Sequence, residues 1–273
     1  MGNRSISRRH VRSLFVSDVH LGYRYANAAA FYRFLNTYET DYLYLVGDFI
    51  DGWRLKRCWH WRPDYNRILR RLMEMSLHGT RVCYTPGNHD EFLREFFHDF
   101  GYVNVADEFI HTAADNRRYL VLHGDRFDDI ETKAPWLSLL GSVVYDGLMW
   151  ANGTWNSLRR LAHLPPRWYT PDVKWRVKHA IQFISDYEQR LSEHAASRRC
   201  DGVVCGHIHT PAIQDWSEVT YCNTGDWVEN CTALIEEHSG EMHLVRANLS
   251  LHGEFVRESH SALPHDQPAF AET

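Results

Sequence analysis

Up to Gly124 the chain alternates two hydrophobic patterns. Short apolar runs, Leu14 to Val16, Tyr42 to Val46, Arg81 to Tyr84 and Tyr119 to Leu122, read as strands, and the Tyr42 run is near-continuous, as in a strand buried on both faces. Between them lie segments with apolar residues three and four apart. Phe31, Phe34, Leu35 and Tyr38 share one face of a helix predicted over 27–39, which makes a strand, crossover, strand unit. Ile68, Leu69, Leu72, Met73 and Met75 do the same over 65–77, with His78-Gly79 as the stop. A short helix is predicted over 91–97, and Phe92, Phe96, Phe97 and Phe100 read as core.

Strand signals then vanish and return only at Gly202. The intervening stretch, rich in Trp and Arg, predicts a helical insertion over 131–199 that is a candidate lid. It holds helices around 136–150 and 156–163, a Pro165-Pro166 break, and a long helix over 172–196 with Val177, Ile181, Ile184, Tyr187 and Leu191 in a stripe. Val203 to Cys205, Val219 to Cys222, Ala233 to Glu236 and Met242 to Arg246 are later strands, which suggest a second sheet packed on the first. The pattern gives one domain over 1–258 carrying that insertion, followed by a flexible polar tail over 259–273.

Composition narrows the class. The chain has 273 residues, 44% hydrophobic and 24% charged, and carries a net charge of −5, so no overall basic field draws nucleic acid. Its six cysteines form no Cys-x-x-Cys pair, and Cys83 and Cys205 lie inside apolar runs, which reads as reduced thiols in a cytoplasmic protein. The basic N-terminus lacks the apolar segment of a signal peptide. The most apolar later stretch, 135–151, contains Asp146 and is shorter than the roughly 20 residues that cross a bilayer.

Polar chemistry follows the strands. Asp18 and His20 close the first, and in extended geometry their side chains project to one side. Asp48 follows the second, where its two oxygens can bridge two ions. Asn88 follows the third, His123 the fourth, and His207 and His209 a fifth. Seven oxygen and nitrogen donors without thiolate suit a catalytic pair of Mn²⁺, Fe, Zn²⁺ or Mg²⁺ ions rather than a structural zinc. Two such ions, about 3.5 to 4 Å apart, hold a bridging hydroxide and clamp phosphoryl oxygens. His89 is then the candidate catalytic group at the leaving oxygen, Asp90 a candidate to orient it, and Asp125 a candidate to hold the ring of His123.

At these residues the chain resembles the calcineurin-like metallophosphoesterases. Their five blocks stand here as Asp18-Val-His20, Gly47-Asp48, Gly87-Asn-His-Asp90, His123-Gly124 and Gly206-His-Ile-His209. The resemblance implies an α/β fold of two facing β-sheets flanked by helices. It also implies one metal on Asp18, His20, Asp48 and His209 and a second on Asp48, Asn88, His123 and His207. Within that superfamily the chain resembles the UDP-2,3-diacylglucosamine diphosphatases of lipid A synthesis, through Ser17 to Leu21, Leu45 to Phe49, the insertion after His-Gly-Asp, and Gly225-Asp-Trp227. That implies Mn²⁺, cleavage of a pyrophosphate to UMP and a lipid phosphate, and peripheral contact with the cytoplasmic face of the inner membrane. Two positions depart from those enzymes: His89 stands where Arg is common, and Arg126-Phe-Asp-Asp129 follows His-Gly-Asp.

Two other readings remain open. One is a metal-dependent phosphomonoesterase or phosphodiesterase acting on a soluble nucleotide or phosphoprotein. The other is a non-catalytic scaffold, whose mark would be degenerate ligands. In the insertion, Trp136, Leu137, Leu140, Val144, Leu148 and Trp150 either line an acyl slot or pack the insertion onto the main domain, and Arg159, Arg160, Arg167, Lys174 and Arg176 could meet anionic headgroups.

Overall fold

The computed structural model describes residues 8–96, 102–128, 173–247 and 255–257. The chain divides into two compact units, one made of Met1–His123 with Ser192–Thr273 and the other of Gly124–Leu191. The helices expected around 136–150 and 156–163 and the tail over 259–273 lie outside the described residues, as do Phe97 and Phe100.

Two mixed sheets make the framework of the first unit. Strands β1 (Arg9–Val16), β2 (Tyr38–Val46), β3 (Arg81–Thr85) and β4 (Val103–Val105) run parallel, with helix α1 (Ala28–Thr37) as the first crossover. Strand β10 (Thr232–Glu236) joins β1 antiparallel and is followed outward by β11 (Met242–Ala247) and β12 (Phe255–Arg257). The second sheet has the order β5-β6-β7-β9-β8, from Phe109–Thr112, Arg118–Val121, Gly202–Cys205, Val219–Asn223 and Ala212–Trp216 respectively. In it β6, β7 and β9 are parallel.

The strand alternation sorts side chains into two layers. Leu14, Val16, Leu43 and Leu45 pack with Phe31, Phe34, Ile68 and Leu72 of α1 and α3 (Pro63–Leu77). Their neighbours Phe15, Tyr44 and Val46 face the second sheet, meeting Val121, Val204 and Cys222. Burial on both faces explains the near-continuous apolar run in β2.

Several expectations need correcting. The late strands do not form the second sheet by themselves: β10 and β11 complete the first, while β5 to β9 form the second. Tyr38 is extended, at φ −114° and ψ 148°, and opens β2 rather than extending the helical face. Met73 is exposed, because the buried face of α3 runs through Tyr65, Ile68, Leu72 and Met75, and Phe92 is 37% exposed rather than in the core. Residues 91–96 form a 3-10 turn. The long helix is present as α4 (Val173–Ser197), with Tyr187 and Leu191 buried and Ile184 half-buried. All six cysteines are free thiols, Cys58 exposed and the others buried.

Candidate active site

Parallel strands leave the C-terminal ends of β1, β2, β3, β6, β7 and β9 at one edge of the two-sheet framework, where open α/β sheets place ligands. The loops after β1 and β2 stay zipped beyond the sheet. Asp18 donates its amide to Gly47 O (3.1 Å), His20 to Asp48 O (2.9 Å), Leu21 to Phe49 O (2.9 Å), and Asp51 returns one to Leu21 O (2.9 Å). Gly52 N donates to His89 O at 3.0 Å and ties in the loop after β3. His207 N donates to Asp18 Oδ2 at 3.0 Å and ties in the loop after β7.

The backbone is unusual where the chemistry is. Asp18 (φ 52°), His20 (49°), Asp48 (51°), His207 (70°) and His209 (53°) are all left-handed. Such conformations cost of order 1–3 kcal/mol each and cluster where surrounding structure holds them for function. This corrects the extended geometry expected of Asp18 and His20: both side chains still reach one site, but through left-handed turns.

The geometry brings Asp18, His20, Asp48, His123 and His209 together. His209 Nε2 lies 3.0 Å and His20 Nε2 3.8 Å from Asp18 Oδ1. Around Asp48, His123 Nε2 is 3.5 Å from Oδ1, and His20 and His89 Nε2 atoms are each 3.9 Å from Oδ2. The His123 and His207 rings meet edge-on with centroids 5.2 Å apart. Asn88 is buried beside His89, whose amide donates to Asp48 Oδ1 at 2.9 Å. Asp18, Asp48, His20 and His123 are buried and form a floor, while His209, with its side chain 38% exposed, marks the open side.

The donor set fits divalent cations. The groups Asp18, His20 and His209, then Asp18, Asp48 and His123, and then His20, Asp51 and His89 each present ligand atoms within 4.8 Å of one another. Two glycines keep the cradle free. A Cβ at Gly87 would stand 2.3 Å from Asp48 Oδ1 and 2.6 Å from His123 Nε2, and one at Gly47 would stand 2.2 Å from the His123 ring.

Electrostatics favour buried carboxylates in ionised form. Burial opposes charge on Asp18, yet His209 beside it brings its pKa down to about 2. Burial likewise opposes charge on Asp48, but His123, His89 and His20 hold it well below the usual carboxylate range. Burial lowers the pKa of His89, but the Asp48 charge and the Asp51 hydrogen bond outweigh it and raise it to about 9.

One supporting role differs from expectation. His89 is oriented by Asp51, whose Oδ1 is 3.0 Å from Nδ1, and its ring is stacked on Trp53 at 4.2 Å. Asp90 instead fastens backbone, accepting from the amides of Gly87 (2.6 Å), Phe49 (2.8 Å), Ile50 (3.2 Å) and Asp48 (3.3 Å) and from the Tyr84 hydroxyl. The His123 ring is held by the Val46 carbonyl, 2.8 Å from Nδ1.

Asp51, Trp53 and Asn230 escaped the sequence reading, and Asp226 entered it only as part of Gly225-Asp-Trp227. Asp226 Oδ2 accepts from Asn230 Nδ2 at 2.6 Å, and the same amide donates to His209 O at 2.8 Å, which props the His209 turn. The signal for Asp51 was its place three residues after Asp48, at the start of a helix it N-caps through Arg54 N (3.0 Å).

The calcineurin-like phosphoesterase model matches residues 11–211. The UDP-2,3-diacylglucosamine hydrolase of Shewanella sp. (strain ANA-3) is 24% identical over 235 residues, covering 84% of this chain and 95% of that protein. The protein of the same name from Cellvibrio japonicus (strain Ueda107) is 29% identical over 125 residues, 45% of this chain and 51% of that protein. Among solved structures, vacuolar protein sorting 29 of Cryptosporidium parvum aligns over 90% of this chain and 94% of that one, at 12% identity and a TM-score of 0.47.

Proposed function

Because the chain belongs to the calcineurin-like phosphoesterase family of metal-dependent hydrolases, we propose that it cleaves the pyrophosphate of a nucleotide-activated glycolipid. The substrate of this reading is UDP-2,3-diacylglucosamine and the products are UMP and the lipid monophosphate. The observation that carries it is the convergence of Asp18, His20, Asp48, His123 and His209 in a chain that matches 95% of a relative bearing that substrate in its name.

In this reading Asp18, His20, Asp48 and His209 hold one Mn²⁺, and Asp48, Asn88, His123 and His207 hold the other. Two such ions lower the pKa of water and offset charge on phosphoryl oxygens. The protein's own part is positional. Asp51 and Trp53 fix His89 from one edge and one face, with Nε2 on the side of Asp48, 3.9 Å from its Oδ2; in this reading Nε2 would meet a phosphoryl oxygen there. The leaving group of a pyrophosphate is itself a phosphate, with a second pKa of about 6, so it departs without full protonation. His89 therefore acts by hydrogen bonding to developing charge rather than by complete proton transfer. A glycolipid substrate places the reaction at a membrane surface, the cytoplasmic face of the inner membrane.

The test compares specificity constants for the diacyl substrate, its deacylated analogue and a soluble aryl phosphodiester. This reading expects UMP release from the diacyl compound well above that from the deacylated one. Equal rates on both, or preference for the soluble ester, would leave the family chemistry and remove the lipid.

A further inference from the structure

A cationic, tryptophan-bearing surface adjoins the site on the segment Asp51 to Arg62. This segment carries Arg54, Lys56, Arg57 and Arg62 against one acidic residue, Asp51, in a chain whose net charge is −5. Its first half is helix α2 (Gly52–Arg57), which Asp51 caps and from which Trp53 stacks on His89. Its second half turns outward. Lys56, Arg57, Cys58, Trp59 and His60 are all exposed, and Trp59 is 75% exposed.

Trp59 is not frayed. Its ring lies on that of Trp61 at 5.9 Å and 25°. Trp61 is anchored below by Nε1 donating to Asn66 Oδ1 at 2.9 Å and by an edge contact with the buried Tyr65 at 5.2 Å. A large indole is thus held rigidly in water between basic side chains, and no ion pair engages Lys56 or Arg57 among the described residues. Contiguous exposed apolar surface, here Trp59 stacked on the half-buried Trp61, marks interaction sites more than a lone exposed ring does.

We propose that Lys56, Arg57 and Trp59 form an interfacial membrane contact that seats the site against a bilayer carrying anionic lipids. Indole rings favour the headgroup boundary, where one edge is apolar and the other wet. Basic side chains beside them are attracted by the negative surface. The lipid reading expects this geometry, because one short segment grips His89 through Asp51 and Trp53 and presents the docking ring of Trp59. No described helix is long and apolar enough to cross a membrane, so a contact of this kind is interfacial.

The inference rests on a lipid-linked substrate, and the two claims can fail separately. The full chain and a Trp59→Ser, Lys56→Glu, Arg57→Glu variant are sedimented with phosphatidylcholine vesicles with and without phosphatidylglycerol. Both are also assayed on a soluble aryl phosphodiester. The expected result is binding to the anionic vesicles only, a partition coefficient at least about tenfold lower in the variant, and an unchanged rate on the soluble ester. Equal partition of the two proteins overturns the proposal, as does equal binding to neutral vesicles. So does retention of single-stranded RNA in place of vesicles, since stacked rings with basic neighbours are also what such a strand would use. Vesicle binding by this surface without UMP release would remove the substrate and keep the contact.

Discussion

Asp51 holds His89 by a hydrogen bond of 3.0 Å between Oδ1 and Nδ1. Its other oxygen lies 3.6 Å from Nδ1 of His20, so one buried carboxylate steadies a residue of each of two loops. Burial opposes its ionisation, but the bonds to His20 and His89 push its pKa far below the usual range.

Replacing Asp51 by Asn keeps the cap on α2 and removes the charge. The expected result is a loss of about 10- to 100-fold in turnover, as for other groups that orient side chains at a metal site, with the chain still folded at the assay temperature but melting lower, since the depressed pKa marks a stabilising charge. Steady-state kinetics on an aryl phosphodiester together with a thermal scan measure both.

Asp90 should behave oppositely. It accepts four backbone amides and the Tyr84 hydroxyl in a fully buried position. Asp90→Ala leaves these donors unpaired at about 1–3 kcal/mol each if nothing relaxes, so stability should fall by at least about 3 kcal/mol. Chemical denaturation reads this directly.

Gly87→Ala tests the cradle. The added methyl would overlap Asp48 Oδ1 and the His123 ring, so Mn²⁺ affinity by titration calorimetry should drop while the circular dichroism spectrum stays native.

Glu236 links the sheets away from the site. It is fully buried, ion-paired to Arg12 at 3.0 Å and bonded to His111 Nε2 at 2.8 Å, with Ser13 and the Ala114 amide also donating to it. Burial opposes its ionisation, but these partners lower its pKa overall. A folded pKa below the unfolded one stabilises the protein above the unfolded value of about 4.3 and ceases to do so as pH falls through the folded value. Melting temperature should therefore exceed that of Glu236→Gln at neutral pH, and the difference should shrink below about pH 4. A constant difference across pH would contradict this.

The five motif blocks were legible because each pairs a strand period with turn residues and metal-type donors, and their convergence follows from parallel strands. The partners of those donors were not. Asp90 lies next to His89 in sequence, yet it points back at the backbone, and Asp51, 38 residues earlier, takes the histidine. Contacts between segments distant in sequence have no local periodicity. The second sheet was misassigned for the same reason: β5 and β8 are short and only half-apolar, while β10 pairs with β1 from over 200 residues away. Tyr38 looked helical by spacing, but β pairing with Arg9 overrode that pattern.

The reaction proposed for the Asp18 to His209 constellation is hydrolysis of a lipid-linked pyrophosphate. Product analysis on UDP-2,3-diacylglucosamine with added Mn²⁺, comparing the intact chain with Asp48→Ala, tests it most directly. UMP and the lipid monophosphate should appear with the intact chain alone. No turnover of this substrate by an intact chain that still hydrolyses an aryl phosphodiester would contradict the account, and so would equal release by the Asp48→Ala variant.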